Sequence, residues 1–415
     1  MSRKVHQKVA IVNGARTPIG KFGGKLKDIP AVKLGAIAIK AAIKRSHLNP
    51  ENIENVIMGA IHQEGMGNNP ARIAALKAGI SHTAGALTVN NVCSSGMKAV
   101  ELSAHHILLN KFRFVIAGGM ESNSQTPYMV MNARWGKRLR NDKLVDALFY
   151  DGFTDTYNEY GGYEHVGETA ENILQDKRII SEKYDISEFE LTREEINKFA
   201  LESQKKYLKA QNLGIFEEIT PIKVKYKGRE KTLTQDESPR PQITLKKLNR
   251  LKPVFRKDGY VTAGNTPDLN DGAAALVLTS LETAEDQELQ PMGLWIDSAS
   301  GNVEPEYMGL GPIPAIRKVL KRNDLSQKDI DIFEINEAQA QQVLFCIKAL
   351  GIPREKVNVN GGAIALGHPP GMTGARLILT ALYELKRKHG DFAICSLCAG
   401  GGTGMATLIQ NFKRE

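Results

Sequence analysis

Short apolar runs alternate along the chain with longer stretches in which apolar residues recur at helical spacing. The runs at residues 114–117, 272–278 and 392–395 are bounded by polar or glycine-containing segments, which is typical of buried strands. Residues 97–107 instead repeat apolar side chains every three or four positions, as an amphipathic helix does. This alternation predicts an α/β protein with a mixed or parallel sheet.

The same order of elements occurs twice, about 275 residues apart. In each copy a strand precedes a helix, a second strand leads into a glycine-containing turn and another helix, and a short buried strand follows. The segments are residues 53–59, 76–80, 87–90 and 114–117 in the first copy and residues 330–335, 347–352, 357–360 and 392–395 in the second. Two copies at this long spacing predict a duplicated domain and not a solenoid.

A polar, strongly charged segment separates the two copies. It covers residues 123–250 and contains one predicted helix, residues 192–209, with charged and apolar residues on different faces. We interpret the segment as an inserted loop domain, because loops on a rigid scaffold commonly carry binding residues. The predicted division is residues 1–122 with about 251–287 for the N-terminal half, 123–250 for the loop domain and 288–415 for the C-terminal half.

Composition narrows the class of protein. The chain has 415 residues, of which 42% are hydrophobic, so it can bury a large core and is not disordered. Its apolar stretches fall far short of the roughly 20 residues that cross a bilayer. Residues 1–8 are polar and only four apolar residues follow them, so we expect no signal peptide and a cytoplasmic protein. Four cysteines are too few for a disulfide framework, and we expect reduced thiols.

The net charge of +9 favours an anionic ligand or partner. Basic residues concentrate in residues 134–140, 223–231 and 240–257, while aromatic residues make up only 6% of the chain. No nucleic-acid-binding motif accompanies these basic segments, so a solvated basic face is favoured over nucleic-acid binding. A phosphorylated small molecule stays open as a ligand.

Cys93 and His368 are the first candidates for chemistry. Cys93 follows a strand-like run and immediately precedes the predicted helix, where N–H groups and the helix dipole stabilise a thiolate. A free cysteine is, however, more often a small buried hydrophobic residue. His368 lies in a turn rich in glycine and proline, before a helix that we expect to begin near Thr373. It is either structural or the base that activates Cys93.

Two further segments place polar groups at strand ends. Cys395 and Cys398 form a CxxC before a run of glycines, but no second pair stands at metal-ligand spacing, so we predict no metal site. A thiol there could exchange protons while main-chain N–H groups hold an oxyanion, and a CxxC redox pair is a second interpretation. Asn336 follows a predicted strand, where its amide either fixes a water or caps a helix.

These segments, in this order, resemble the thiolases, which make or cleave 3-ketoacyl-CoA. The resemblance covers nearly the whole chain, and further segments that carry it are residues 16–20, 118–122, 261–265, 270–275 and 309–312. It implies two duplicated α/β halves in a layered α-β-α-β-α core, with a loop domain that covers CoA. It also implies that CoA is a substrate or product and that no cofactor is tightly bound.

The resemblance implies a role for each catalytic candidate. Cys93 would carry the acyl group, His368 would activate it, and Cys398 would move the proton at the α-carbon of the second thioester. Asn336 would hold a water that, with His368, stabilises the enolate oxygen. The N–H groups of Cys93 and Gly400 would form the other oxyanion hole. Joining two thioesters requires a thiol that stores one acyl group and a base that makes a carbanion from the other.

The acyl pocket combines family features with departures from them. His165 falls where short-chain acetyl-CoA acetyltransferases have a histidine beside the acyl group, which favours acetoacetyl-CoA. Val166 stands at a usual Met, Gln339 at a usual Phe and Pro370 at a usual aliphatic residue. We therefore expect an acetyl preference in a pocket of altered shape, since changes in a hydrophobic pocket shift selectivity by about 1–3 kcal/mol each.

The expected CoA contacts also combine residues that the family has with one departure from the family. Arg240 falls at a family arginine beside the adenine nucleotide, and Ala263 and Gly264 belong to a CoA-binding segment. Pro267 replaces a serine that contacts the pantetheine arm, and proline offers no hydroxyl or N–H. We expect Arg240 and the basic middle segment to hold the anionic part of CoA.

The resulting prediction is reversible condensation of two acetyl-CoA to acetoacetyl-CoA and CoA through an acyl-cysteine. The alternatives are a broad-range 3-ketoacyl-CoA thiolase of β-oxidation and a non-catalytic acyl-CoA-binding protein. A ketoacyl or hydroxymethylglutaryl-CoA synthase shares the duplicated fold but fits the Cys398 and His368 segments less well. The resemblance implies a homodimer or homotetramer, and a further pathway protein could channel the intermediate. We expect neither a nucleic acid nor a membrane as partner.

Overall fold

The computed structural model describes residues 8–139, 141–155, 164–184 and 190–413. In this part of the chain, ten strands form one mixed sheet and six short strands form three separate pairs. The strands are β1 (Val9–Arg16), β2 (Gly20–Lys21), β3 (Asn55–Gly59), β4 (Gly85–Val89), β5 (Phe114–Ser122), β6 (Tyr128–Met129), β7 (Val145–Asp146), β8 (Thr154–Asp155), β9 (Glu164–His165), β10 (Ile222–Tyr226), β11 (Arg229–Leu233), β12 (Asn270–Ser280), β13 (Gly293–Asn302), β14 (Ile332–Ile335), β15 (Phe392–Ala399) and β16 (Thr403–Asn411).

α-Helices cover the sheet and form most of the remaining regular structure. They are α1 (Ala31–Arg45), α2 (Pro70–Ala78), α3 (Ser95–Leu108), α4 (Ala147–Tyr150), α5 (Val166–Gln175), α6 (Lys177–Tyr184), α7 (Arg193–Asn212), α8 (Leu245–Asn249), α9 (Leu281–Asp286), α10 (Pro312–Arg322), α11 (Ala340–Leu350), α12 (Ala363–Leu366) and α13 (Pro370–Lys388). No helix within the described residues is long and apolar enough to cross a membrane. Residues 1–7, which entered the signal-peptide expectation, lie outside the described part, as does Arg140 of the basic run.

The large sheet joins the two repeat copies. Its strand order is β14-β15-β16-β13-β1-β12-β5-β3-β4, with β2 paired to β12. The pairs β3–β4, β3–β5 and β14–β15 are parallel, and the pairs between them are antiparallel. β1 pairs with β13 through Val9 with Trp295 and Ala10 with Leu294. The mixed sheet is therefore confirmed, and the sheets expected in each half are continuous through this pairing.

Three hydrophobic cores arrange the helices in layers. α1 and α2 cover the outer face of the N-terminal strands, where Ile39 shares a core with Ile116. α3 and α13 lie in the middle, where Val100 and Ile378 pack with strands of both halves. α10 and α11 cover the outer face of the C-terminal strands, with Val343 in that core. The layered α-β-α-β-α arrangement is confirmed.

Helices α5 and α7 of the inserted segment pack on the C-terminal half, whereas Ile222, Val224 and Leu233 of β10 and β11 belong to the N-terminal core. Ile173 of α5 and Phe199 of α7 belong to the same core as α10 and α11. The predicted helix at 192–209 is α7, whose first turn is held by reciprocal bonds between Thr192 and Glu195. The division of the chain into three domains stays a prediction.

The predicted strand at residues 357–360 is wrong. Asn358 has φ 44°, a left-handed conformation that ends an extended run. Its side-chain amide replaces strand pairing, because Oδ1 accepts from Ile335 N at 2.9 Å and Nδ2 donates to Ile335 O at 2.8 Å. The helix expected near Thr373 begins three residues earlier, at Pro370, whose fixed φ suits the first helical position.

Close contacts at glycines bring the start of α13 against β5 and α3. A Cβ at Gly119 would lie 1.8 Å from Gly371 O, and a Cβ at Gly96 would lie 2.7 Å from the same oxygen. Any larger residue would push the α13 terminus away from its neighbours. The spacing between α3, which follows Cys93, and α13, which follows His368, therefore depends on glycine at both positions.

Gly119→Ala should lower the free energy of unfolding by about 3 kcal/mol, because the added methyl collides with backbone that cannot move locally. Gly65→Ala is the matched control. Gly65 has φ +76° and no neighbouring atom within 4 Å of the place a methyl group would take, so the change should cost only about 1–2 kcal/mol of left-handed strain. Urea unfolding measures both variants, and equal losses would contradict this account of the α13 contact.

Candidate active site

A cavity of about 380 Å³ brings together side chains that lie far apart in the sequence. Cys93, His368 and Cys398 line it, as do four of the predicted binding residues, namely His165, Val166, Pro267 and Gln339. Apolar side chains form most of the remaining wall, including Ile61, Leu148, Phe149, Phe153, Phe255 and Met308. Within the described residues no group of three or more His, Cys, Asp or Glu could hold a metal ion.

Cys93 lies in a tight turn between β4 and α3, directly before Ser94, the N-cap residue of α3. The preceding residue, Val92, has φ 50°. This conformation is rare for a β-branched side chain and costs on the order of 1–3 kcal/mol. Ser95 stabilises the turn, because its hydroxyl accepts from Asn91 N at 2.8 Å and donates to Val92 O at 2.6 Å. The predicted position at a helix N-terminus is confirmed.

Hydrogen bonds fix both the position and the tautomer of His368. Its main-chain N donates to Asn270 Oδ1 at 2.8 Å, and its Nδ1 lies 2.7 Å from Thr373 Oγ1. The Thr373 hydroxyl donates to Pro369 O at 2.8 Å, so it accepts from His368 and Nδ1 carries the proton. Nε2 therefore presents a lone pair, as a base requires.

The imidazole of His368 is neutral at physiological pH. Its burial and, to a smaller extent, the positive charge of Arg376 together lower the pKa of His368 to about 3. Arg376 is itself buried and pairs with Glu334 at 3.3 Å. A neutral imidazole can accept a proton from a neighbouring thiol, whereas an imidazolium could not.

Asn336 lies against His368 and does not cap α11. Its Nδ2 is 3.5 Å from His368 Nε2, and its main-chain N donates to Ser396 O at 2.9 Å. α11 begins at Ala340 with Gln339 as its N-cap residue, so the helix-cap interpretation of Asn336 is wrong. Asn336 Oδ1 is buried and has no hydrogen-bond partner among the described residues, which leaves it free to accept from a water or substrate.

Cys398 lies in β15 and faces the cavity. Burial raises the pKa of its thiol well above the usual range, and the neighbouring sulfurs of Cys93 and Cys346 raise it further. Cys398 is therefore protonated at rest. Gly400 is buried in the 3-10 turn that follows β15.

The CxxC redox interpretation is wrong. Cys395 and Cys398 lie in the same extended strand, three residues and therefore about 10 Å apart, with side chains on opposite faces. A disulfide requires Cα atoms within about 7 Å. Cys395 instead packs in the central core.

Aromatic rings surround His165, the histidine of the predicted acyl pocket. The ring of His165 lies 5.3 Å from Phe149, 5.8 Å from Phe153 and 4.7 Å from Phe255, between centroids. His165 Nδ1 accepts from Gly167 N at 3.0 Å, so its proton is on Nε2. Burial lowers the pKa of His165 and keeps it neutral.

The predicted CoA-binding residues meet at one side of the cavity. Arg240 donates from Nη1 to Ala263 O at 2.7 Å and from Nη2 to Asp268 Oδ1 at 2.6 Å. Asp268 and Pro267 line the cavity. Gly264 is buried, and a side chain there would meet Leu248 and Leu251. Five predicted site residues lie outside the described cavity lining, namely Arg240, Ala263, Gly264, Asn336 and Gly400, and of these Ala263 is exposed.

Sequence reasoning missed a buried carboxylate that links three segments of the site. Glu121 accepts from Ile61 N at 3.1 Å, His62 N at 3.2 Å and Gly371 N at 2.9 Å. Burial raises the pKa of Glu121 to about 7. Glu121 lies in the segment 118–122, which is part of the resemblance to the thiolases. The sequence of that segment does not show which N–H groups Glu121 contacts.

Comparison with known proteins identifies the family. Residues 9–282 match the model of the thiolase N-terminal domain, and residues 289–411 match that of the thiolase C-terminal domain. A probable acetyl-CoA acyltransferase of Staphylococcus aureus is 44% identical over 98% of this chain and 100% of its own, and one of Staphylococcus epidermidis is 43% identical over 98% and 99%. The chain belongs to the thiolase family, and it is an acyltransferase.

Solved structures give the same result. The acetyl-CoA acetyltransferase of Bacillus anthracis has a TM-score of 0.91 and 42% identity, covering 98% of this chain and 99% of its own. Human mitochondrial 3-ketoacyl-CoA thiolase also has a TM-score of 0.91, with 38% identity over 98% and 100%. The thiolase fold is confirmed, and thiolases use CoA as a substrate without a tightly bound cofactor.

Behind the cavity, His62 is a second residue that the sequence did not mark. Its ring lies against Gly152 of the cavity wall, where an added Cβ would be 2.5 Å from Nε2. Both ring nitrogens are buried without a hydrogen-bond partner among the described residues. Burial lowers the pKa of His62 to about 4, against the opposing effect of Asp146.

His62→Leu should reduce the acid sensitivity of folding. The pKa of His62 is lower in the folded state than the unperturbed value of about 6.5, so the unfolded chain binds a proton first and stability falls as the pH drops from about 6.5 towards 4. The parent should lose about 1–2 kcal/mol more between pH 7.5 and 5 than His62→Leu, measured by urea unfolding. His82→Leu, at an exposed position, should behave as the parent does. The same pH dependence in all three proteins would contradict the prediction.

Proposed function

We propose that this chain catalyses the reversible reaction between two acetyl-CoA and acetoacetyl-CoA plus CoA, with Cys93 as the acyl carrier. One observation carries the proposal, namely that a cysteine at a helix N-terminus, a neutral histidine and a protonated thiol line one cavity. These groups supply the nucleophile, the base and the acid that cleavage of a 3-ketothioester requires.

In the cleavage direction, His368 Nε2 takes the proton of the Cys93 thiol, and the thiolate attacks the 3-keto carbon. The bond between C2 and C3 breaks, leaving acetyl-Cys93 and the enolate of acetyl-CoA. Protonated Cys398 then gives its proton to the enolate carbon. In the second half, CoA–SH returns a proton to the Cys398 thiolate and attacks acetyl-Cys93. The released Cys93 thiolate recovers its proton from His368, so the cycle closes.

The tautomer of His368 supports a second task for the same ring. At rest Nε2 carries no proton, and it gains one only when Cys93 is deprotonated. The new N–H can then donate to the enolate oxygen, beside a water held by Asn336. The second oxyanion hole, from the N–H groups of Cys93 and Gly400, rests on the family resemblance. Donors of this kind act where charge develops in the transition state.

The surroundings of His165 support a preference for the acetyl group. Three phenylalanine rings within 4.7–5.8 Å of this imidazole fill the space beside it. Val166 and Gln339 are the other predicted acyl contacts in this wall. A long chain would have to displace these rings.

A broad-range 3-ketoacyl-CoA thiolase is the second candidate. The wall of the cavity also includes Ile61, Leu148 and Met308, which offer apolar contacts to additional methylene groups. The human 3-ketoacyl-CoA thiolase has the same fold at 38% identity.

The CoA contacts and the assembly are also part of the proposal. Arg240, held by Asp268 at the cavity wall, would stand beside the adenine nucleotide, while Ala263, Gly264 and Pro267 would flank the pantetheine arm. Because Arg240 pairs with Asp268, part of its positive charge is already neutralised. Neighbouring basic residues would therefore also bind the phosphates of CoA. We further propose a cytoplasmic homodimer or homotetramer.

Thiolysis of acetoacetyl-CoA and of 3-ketooctanoyl-CoA tests the function and the acyl range together. The kcat/KM of the parent should be at least about tenfold higher for acetoacetyl-CoA than for 3-ketooctanoyl-CoA, because the aromatic wall excludes the longer chain. Cys93→Ala should lose at least about 1000-fold with both substrates, since no acyl carrier remains. The rates are measured as the CoA-dependent loss of the absorbance of the 3-ketoacyl-CoA.

Cys395→Ala is the matched control, because Cys395 is a buried cysteine in the opposite face of β15. It should keep the substrate preference and most of the rate. Equal cleavage of both substrates would favour the broad-range candidate. A Cys93→Ala variant with parental activity would contradict the proposed mechanism.

A further inference from the structure

The side chain of Gln339 lines the acyl cavity and carries a hydrogen-bond acceptor that has no partner among the described residues. The side chain lines the cavity together with Val166 and Met308, and the residue is only 4% exposed. Its Oε1 atom has no hydrogen-bond partner among the described residues. A buried acceptor without a partner costs about 1–3 kcal/mol, so a ligand that supplies a donor there gains affinity.

The orientation of this amide is fixed by its other end. Gln339 Nε2 donates to Val166 O at 3.3 Å, and a carbonyl oxygen can only accept, so Oε1 must be the atom left over. Val166 N in turn donates to Phe153 O at 2.9 Å, which holds the accepting carbonyl in place. Rotation of the amide would break one hydrogen bond without making another.

The backbone supports the same orientation. Gln339 is extended, with φ −149° and ψ 150°, and is the N-cap residue of α11, yet its side chain makes no capping bond. The main-chain N of Ala340 donates instead to Asn265 O at 3.0 Å. The Gln339 side chain is therefore available to the cavity and is not consumed by its own helix.

The surroundings of the amide select the kind of donor. The nearby wall is apolar at Met308 and Phe255, and a charged donor there would lose its hydration without gaining a counter-ion. The two acidic side chains of the described lining are already engaged, because Asp146 caps α4 and Asp268 pairs with Arg240. A hydroxyl group is a small and neutral donor, so it can donate to Gln339 Oε1 without burying a charge that lacks a counter-ion.

We propose that the acyl cavity accepts acyl groups that carry a hydroxyl, whose O–H donates to Gln339 Oε1, and that Gln339 thereby sets substrate specificity. An unsubstituted chain of the same length leaves the acceptor buried and unpaired, which disfavours it. The inference rests on the proposed function, because the acyl group must reach Cys93 to be discriminated.

Exchange of labelled CoA into acyl-CoA tests this specificity in the first half-reaction alone. The Cys93 thiolate attacks the thioester carbonyl, the bond from carbon to the CoA sulfur breaks, and the CoA thiolate leaves. Attack by isotope-labelled CoA reverses these steps, and mass spectrometry measures the label. The substrates form pairs of equal length, hydroxyacetyl- with acetyl-CoA and 3- or 4-hydroxybutyryl- with butyryl-CoA.

In the parent, at least one hydroxylated member should exchange faster than its unsubstituted partner. Gln339→Leu should lower that ratio at least tenfold, since leucine offers no acceptor. Gln341→Leu is the matched control, because Gln341 is a buried glutamine two residues along whose side chain lies outside the cavity lining of the described residues. It should keep the parental ratio within about twofold.

The outcomes separate the two claims. Equal ratios in the parent and Gln339→Leu would overturn the specificity proposal while leaving the proposed function in place. The same holds if the parent exchanges acetyl-CoA but favours none of the hydroxylated substrates. Exchange of none of the acyl-CoA substrates by folded parent would overturn both. A ratio that falls equally in Gln341→Leu would assign the effect to general disturbance of α11 and overturn the role of Gln339.

Discussion

The contact of the α13 terminus with β5 and α3 is the constraint on which the site depends. Gly371 O lies so close to Gly119 and Gly96 that neither position has room for a Cβ. The carboxylate of Glu121 completes the contact by accepting from Gly371 N and from the two main-chain N–H groups after β3. Because α13 follows the His368 turn and α3 follows Cys93, this one contact sets where the proposed base and the proposed nucleophile stand relative to each other.

Burial then sets the protonation states within that frame. It lowers the pKa of His368 to about 3 and raises the pKa of Cys398 well above its usual range, so both groups are neutral at rest. A neutral base and a neutral acid suit a reaction that begins by removing one proton and ends by delivering another. The charge appears only as the reaction proceeds, where fixed N–H groups and amides can stabilise it.

Much of this site could be predicted from the sequence, because its residues lie in local patterns. Cys93 stands between a strand pattern and a helix pattern, and the glycines and prolines around His368 mark a turn. The repeat likewise predicted the duplicated α/β halves, whereas their layered arrangement was implied by the family resemblance. The CxxC spacing suggested a redox pair, and this interpretation is wrong because spacing alone does not show that Cys395 and Cys398 lie in one extended strand.

What could not be predicted depends on contacts between distant segments. The side-chain amide of Asn358 makes the hydrogen bonds to the main chain of Ile335 that a paired strand would make, and no periodicity reveals this. The three N–H groups that meet Glu121 come from segments 60 and 250 residues away. The side-chain atoms of His62 and Gln339 that lack hydrogen-bond partners in the described part of the chain become visible only when every neighbour is in place.

The proposed mechanism requires that Cys93, and not Cys398, carries the acyl group. Brief incubation with acetyl-CoA, acid quenching, digestion and mass spectrometry of the cysteine peptides tests this requirement directly. We predict acetylation of the peptide that contains Cys93, removed again by added CoA, with Cys398 unmodified. Acetyl groups on Cys398, or CoA-dependent turnover with no acetylated Cys93, would contradict it.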